Sequence, residues 1–132
     1  MGDSLLSRDQ VHTLKFCNVA TDAPLLPRQL KRLAKRAEMG LARTGAVATN
    51  GSGDFTVAFS TANRNRRGTT MHAYREIDND AVSPLMQAAA EATEESILNA
   101  LCAATDFTGR DGNTVWALPT DQLIEALRNA GS

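Results

Sequence analysis

The sequence has 132 residues, 42% of them hydrophobic, and a formal charge of -1, which suits one domain or part of a larger one with a real core. Such a balance gives no field that gathers nucleic acid or an acidic membrane, no apolar run nears the roughly 20 residues that span a bilayer, and the start MGDSLLSRDQVHTLKF lacks the basic and apolar regions of a signal peptide. Two cysteines and two histidines exclude a disulfide framework or a histidine-rich metal centre, imply no cofactor, and point to a reducing, cytoplasmic setting.

In chain order, residues 1–12 read as an irregular, polar N-terminal segment. Residues 13–20, TLKFCNVA, predict a strand through Phe16 and Val19, and the turn-rich TDAPLLP follows. Pro27 suits the first turn of a helix, where its missing N–H costs nothing. From Arg28 to Arg43, Leu30, Leu33, Ala34, Ala37 and Leu41 recur at helical spacing, with Arg28, Lys31, Arg32, Lys35, Arg36 and Glu38 on the wet side. Gly45 is the stop signal. In NGSGDFTVAFST, Phe55, Val57 and Phe59 alternate with Thr56, Ala58 and Ser60, a strand suited to a sheet packed on both faces. NRNRRG is a loop, and TTMHAYREI (69–77) predicts a further strand. Ser83-Pro84 opens a long, alanine-rich helix through Leu85, Ala88, Ala89, Ala92, Ile97, Ala100, Leu101 and Ala104, with Cys102 read as core. TGRDGNT is a loop, TVWAL a short apolar segment, and Thr120 caps a final helix carrying Leu123, Ile124 and Leu127. Tyr74 and Trp116 are read as packing residues. Strands and helices come in groups, which indicates layered α/β architecture rather than a doubly wound nucleotide fold.

Local motifs are ambiguous by themselves. GSGD lacks the lysine and hydroxyl of a phosphate loop and precedes a strand, not a helix. It is not a nucleophile elbow either. As an extended i, i+2 pair, Ser52 and Asp54 share one face, either as a polar turn or as half of an active site. GDSL at residues 2–5 matches the letters of an esterase signature, but no strand precedes it and neither His12 nor His72 follows an aspartate by three. Arg64, Arg66 and Arg67 read as a solvated loop, without the interleaved aromatics of a nucleic-acid site.

Four blocks taken together are specific. ATDAPLLPRQLKRLAKRA, GLARTG, NGSGDFTVAFSTAN and GRDGNTVWALP resemble, in order, the C-terminal half of the L-aminopeptidase/D-esterase (DmpA-like) family, from about Val19 to about Leu123. The resemblance implies part of a four-layer α/β/β/α sandwich similar to the N-terminal-nucleophile hydrolases, with residues 13–132 as a β-chain-like portion. It implies a precursor that cuts itself before a serine or threonine, so that the new β-chain begins with the nucleophile. The expected activity is release of N-terminal amino acids from peptides, amides or esters, without a metal. The α-chain of the same precursor is the expected partner, in a homo-oligomer of αβ units.

By the same resemblance, Ser52 and Asp54 match the family's second serine and its acidic partner, where glutamate is frequent. The nucleophile is less clear. Thr13 stands at about the right distance before VATDAPL but follows His12, whereas Ser4 has the more family-like surroundings yet lies far from the strand. The oxyanion donors and much of the substrate pocket are expected from the α-chain, so residues 1–132 alone should have little or no activity and should leave apolar faces open. The competing expectation is a non-catalytic remnant or interaction module of the same fold.

Overall fold

The computed structural model describes residues 14–47, 50 and 52–130; the irregular segment expected over 1–12 lies outside them. Strand β1 (Leu14–Thr21), helix α1 (Pro27–Arg43) and strand β2 (Gly53–Ser60) form a β-α-β unit. β1 and β2 pair in parallel, from Leu14 opposite Gly53 to Thr21 opposite Ser60. Parallel neighbours need a crossover, and α1 provides it.

α1 begins as its sequence demands. Pro27 occupies the first turn, and the Gln29 side-chain oxygen accepts the Leu26 N–H at 3.4 Å, occupying a donor that the helix leaves over. Gln29 Nε2 donates to the Ile77 carbonyl at 2.9 Å, which explains how an amide side chain can be only 1% exposed. Gln29, Leu33, Ala37, Gly40 and Leu41 form the buried stripe. The predicted Leu33–Ala37–Leu41 face is therefore the packed one.

Helix α2 (Ser83–Ala103) follows a short 3₁₀ turn, Asp80–Val82, and packs along α1. The two backbones come so close at Gly40 that an added Cβ would strike the Ala90 carbonyl and lie 2.9 Å from Thr93 Cβ. Thr93 Oγ1 donates to the Ala89 carbonyl at 2.7 Å, so this buried hydroxyl is satisfied. Leu25, Leu33, Val82, Met86 and Ala89 form the core, with Val19, Ala23, Leu30, Ile77 and Leu85 around it.

The strand expected at 69–77 does not form. Residues 69–79 run without regular structure and only Ile77 among them is partly buried. The hydrogen bonds explain this. Asn63 Nδ2 donates to the Arg75 carbonyl at 2.9 Å, the Arg75 N–H donates to Asn63 Oδ1 at 3.0 Å, and the Ile77 N–H reaches the Pro24 carbonyl at 3.2 Å. Side chains and a turn carbonyl thus satisfy backbone groups that a sheet ladder would have used. Tyr74 is exposed there, as is Trp116 beyond α2, so neither is the packing residue expected. Cys102 is exposed too, in contrast to the expected core position.

After α2 comes a small antiparallel hairpin, β3 (Phe107–Thr108) with β4 (Thr114–Val115). Its connection carries Asp111 and Gly112 in the left-handed region, at φ 62° and 77°, where glycine is at ease and aspartate is tolerated. Helix α3 (Thr120–Ala130) closes the described chain.

Candidate active site

Parallel pairing sorts β1 and β2 into two faces. Cys17, Val19, Thr21, Thr56, Ala58 and Ser60 are half-buried on the helix side, while Phe16, Asn18, Ala20, Phe55, Val57 and Phe59 are exposed on the other. By the same alternation Ser52 and Asp54 belong to the helix side, at the N-terminal end of β2. Since α1 runs back between parallel strands, its C-terminal turn arrives at that end.

The GLARTG block builds this turn. The Thr44 hydroxyl donates to the Leu41 carbonyl at 2.8 Å, and the Gly45 N–H donates to the Ala42 carbonyl at 3.1 Å. Gly45 has φ 85°, the left-handed conformation that ends a helix and that a β-carbon would oppose. The chain then turns toward β2. Glu38, Leu41, Ala42, Ala46 and Val47 line, with Ser52 and Asp54, a cleft of about 360 Å³.

Within this cleft the Ser52 hydroxyl donates to Asp54 Oδ2 at 2.9 Å. The proton of Ser52 is thereby committed, and its oxygen lone pairs remain available to a donor. The second carboxylate oxygen of Asp54 can accept from an ammonium. Among the described residues that line the cleft there is no imidazole or amine to serve Ser52 as a base.

Ser4 and Thr13 lie outside the described residues. Ser52 and Asp54 are brought together. Among the described residues no group of three or more His, Cys, Asp or Glu could hold a metal ion. The cleft's α1 wall went unassigned in the sequence, although GLARTG and NGSGD were both family-like blocks; their separation by only four residues was the available signal that they form one place.

Residues 16–115 match the model of peptidase family S58. The chain belongs to that family. The beta-peptidyl aminopeptidase BapA of Sphingosinicella microcystinivorans is 48% identical over 112 residues, covering 83% of this chain and 28% of that protein. A solved structure of the L-aminopeptidase D-Ala-esterase/amidase of Ochrobactrum anthropi, described as a prototype for the serine aminopeptidases and a new variant among the Ntn hydrolase fold, matches with a TM-score of 0.76 at 36% identity, over 83% of this chain and 32% of that one. A Burkholderia sp. β-aminopeptidase matches with a TM-score of 0.73 at 43% identity, over 85% and 34% of the two chains. The expected α/β architecture of the Ntn-hydrolase type is therefore present. The chain spans 28% of the length of the BapA relative, and its β1–β2 sheet with the α1–α2 helices makes up one helix layer and one sheet layer. No helix among the described residues is long and apolar enough to cross a membrane.

Proposed function

We propose that this chain is the β-chain-like portion of a self-processing serine or threonine aminopeptidase, and that it acts on peptides, amides or esters with a free N-terminal amine. The observation that carries the reading is the Ser52–Asp54 hydrogen bond at 2.9 Å in a cleft at the start of a family S58 strand. In this mechanism a hydroxyl residue freed at a chain start attacks the acyl carbon. Its own α-amine, with a reference pKa of about 7.7–8.0, is partly neutral near pH 7 and takes the hydroxyl proton. Ser52 accepts a hydrogen bond from the nucleophile or its amine, and Asp54 holds an ammonium. The α-ammonium passes that proton to the departing amine or alcohol as the scissile bond breaks, and water then hydrolyses the acyl-enzyme while hydrogen-bond donors of the α-chain stabilise the oxyanion.

Ser4 and Thr13 are the two proposed nucleophiles. Local pattern favours Ser4, whereas the distance to VATDAPL favours Thr13. Residues 1–12 then form a leading segment and 13–132 the β-chain-like domain portion. The α-chain supplies the missing layers, αβ units assemble further, and the two free cysteines suit a cytoplasmic setting.

The test uses the chain assembled with an α-half. Ser52→Ala and Asp54→Asn should each lower kcat on an aminoacyl p-nitroanilide by roughly 100-fold or more while circular dichroism stays unchanged. Wild-type turnover in both variants would remove the assignment. Intact mass of the longer product locates the cut before Ser4 or before Thr13.

A further inference from the structure

The outer face of the helix layer, turned away from the sheet, keeps its charges apart. In α1 the cations Arg28, Lys31, Arg32, Lys35 and Arg36 stand with no acid before Glu38, whereas α2 carries Glu91, Glu94 and Glu95 and neither lysine nor arginine. This spacing is unfavourable within each helix. Lys31 and Lys35, Arg32 and Arg36, and Glu91 and Glu95 are like-charge pairs four residues apart, which oppose helix formation. A face that only has to stay wet interleaves the two signs. α1 also has no acidic residue in its first turn, where the helix dipole would favour one.

The two patches lie at different heights on the layer. Arg32 Nη1 donates to Asn79 Oδ1 ahead of α2, Gly40 meets Ala90 and Thr93, and Arg43 pairs with Glu94 at 3.2 Å, so α1 and α2 run in the same direction. Lys31 and Lys35 therefore sit beside the start of α2, and Glu91 and Glu95 beside the end of α1, about 14 Å further along at about 1.5 Å per residue. That exceeds the Debye length of roughly 8 Å at physiological salt, so the patches do little to neutralise each other. Arg28 shares a hollow with Glu76 and Asp78, and Arg32 is taken by Asn79. Exposed Lys31 and Lys35 and half-exposed Arg36 are left without an ion pair among the described residues. Glu91 and Glu95 are exposed as well, and Glu91 accepts from the neutral amide of Gln87 at 2.7 Å. Met39, one turn beyond Lys35 and 53% exposed, lies between the patches.

We propose that this face pairs with the same face of a second copy of the chain. A basic and an acidic patch on one surface are self-complementary under a two-fold axis. With the axis lying in the interface and bisecting the line between the patches, each copy lays Lys31 and Lys35 on Glu91 and Glu95 of the other, and both contacts form at once. Met39 supplies an apolar centre between the two charged contacts. A second copy fits better than an anionic partner such as nucleic acid, which would meet Glu91 and Glu95 with like charge. The pairing gives a surface to the further assembly proposed above and needs no catalytic residue. Because the face lies on the side of the helices away from the sheet, a layer laid on the sheet leaves it open.

The experiment follows the full chain of 132 residues by sedimentation velocity. At about 50 mM salt the wild type should form pairs, and at about 500 mM its dissociation constant should rise at least about tenfold, because screening shortens the reach of the patches. Lys31→Glu combined with Lys35→Glu should weaken pairing at least about tenfold at low salt, and so should Glu91→Lys combined with Glu95→Lys. Circular dichroism should stay unchanged, since all four positions are exposed. An equimolar mixture of the two double variants should pair as the wild type does, because each then meets its opposite at both contacts. The proposal is overturned if no pairs form, or if pairing ignores salt, which would make an apolar face the contact. It is overturned equally if the mixture stays apart or if either double variant pairs like wild type; loss confined to the lysine variant would make the occupant an acidic partner of another kind. Hydrolysis is not the readout, so failure of the pairing and failure of the functional reading stay distinguishable.

Discussion

The two faces of the β1–β2 pair receive different treatment. Toward the helices stand the smaller side chains, Cys17, Val19, Thr56 and Ala58, all half-buried. On the opposite face Phe16 is 64% exposed and Phe55 54%, with Val57 and Phe59 also open, and the Phe16 and Phe55 rings stack with centroids 5.8 Å apart. The larger apolar payload thus lies on the uncovered side. Fully burying a phenylalanine or valine contributes about 1.5–3 kcal/mol; since these four are about half exposed, covering what remains would contribute on the order of 3–6 kcal/mol. Among the described residues no layer covers this face, so the helix side alone holds the unit together.

That difference can be probed by substitution on each side. The largest effect should come from Leu33→Ala, because Leu33 is 2% exposed at the centre of the core. The lost transfer energy and the cavity together should cost about 2–5 kcal/mol, read as a lower midpoint in urea unfolding. Gly40→Ala comes next. Alanine raises helix propensity by about 1 kcal/mol, yet its methyl would meet the backbone of Ala90 and the side chain of Thr93. Backbone cannot step aside like a rotamer, so a net loss of about 1–2 kcal/mol is expected. A stabilised variant would show that the helices can separate at this crossing.

How much of this was readable before folding differs by element. α1 was legible almost to the residue, since its apolar stripe, Pro27 and Gly45 all mark the same boundaries. β1 and β2 were legible from alternation and α2 from its alanine-rich face. The expected strand at 69–77 was not there, because the choice between ladder and loop was made by Asn63, a polar residue twelve positions from the Arg75 backbone it clips; no local pattern reports such a contact. Cys102 was misread for a related reason. An apolar position on a helix signals a face to be buried, and nothing among the described residues covers Cys102. That Ser52 and Asp54 lie on one face was legible through strand alternation. Their α1 wall was not, because it depends on where the crossover helix ends in space.

A smaller effect should follow from Gln29→Leu. The substitution keeps the bulk but deletes the hydrogen bonds to the Leu26 N–H and the Ile77 carbonyl. Leaving these partners unsatisfied should cost about 1–3 kcal/mol. Because the Ile77 carbonyl anchors the irregular segment, the variant should also show faster proteolysis within residues 63–79 than its global loss of stability explains. Equal cleavage rates at matched stability would mean that the Asn63 and Pro24 contacts suffice to secure that segment.

The smallest effect on the isolated chain is expected on the open face, and it is the most informative. Phe59→Ser removes a side chain that is 47% exposed and has no covering layer among the described residues. Its urea midpoint should therefore move by less than the equivalent of about 1 kcal/mol, near the range of ordinary surface changes. Binding of a hydrophobic dye and aggregation should fall, because an exposed apolar patch has been interrupted. In the chain joined to an α-half the order should reverse: Phe59→Ser should then cost about 3–5 kcal/mol, as a buried aromatic does. If the variant is equally mild in both states, the Phe16–Phe55–Phe59 face is not an interlayer surface, and the second sheet of the four-layer fold must pack elsewhere.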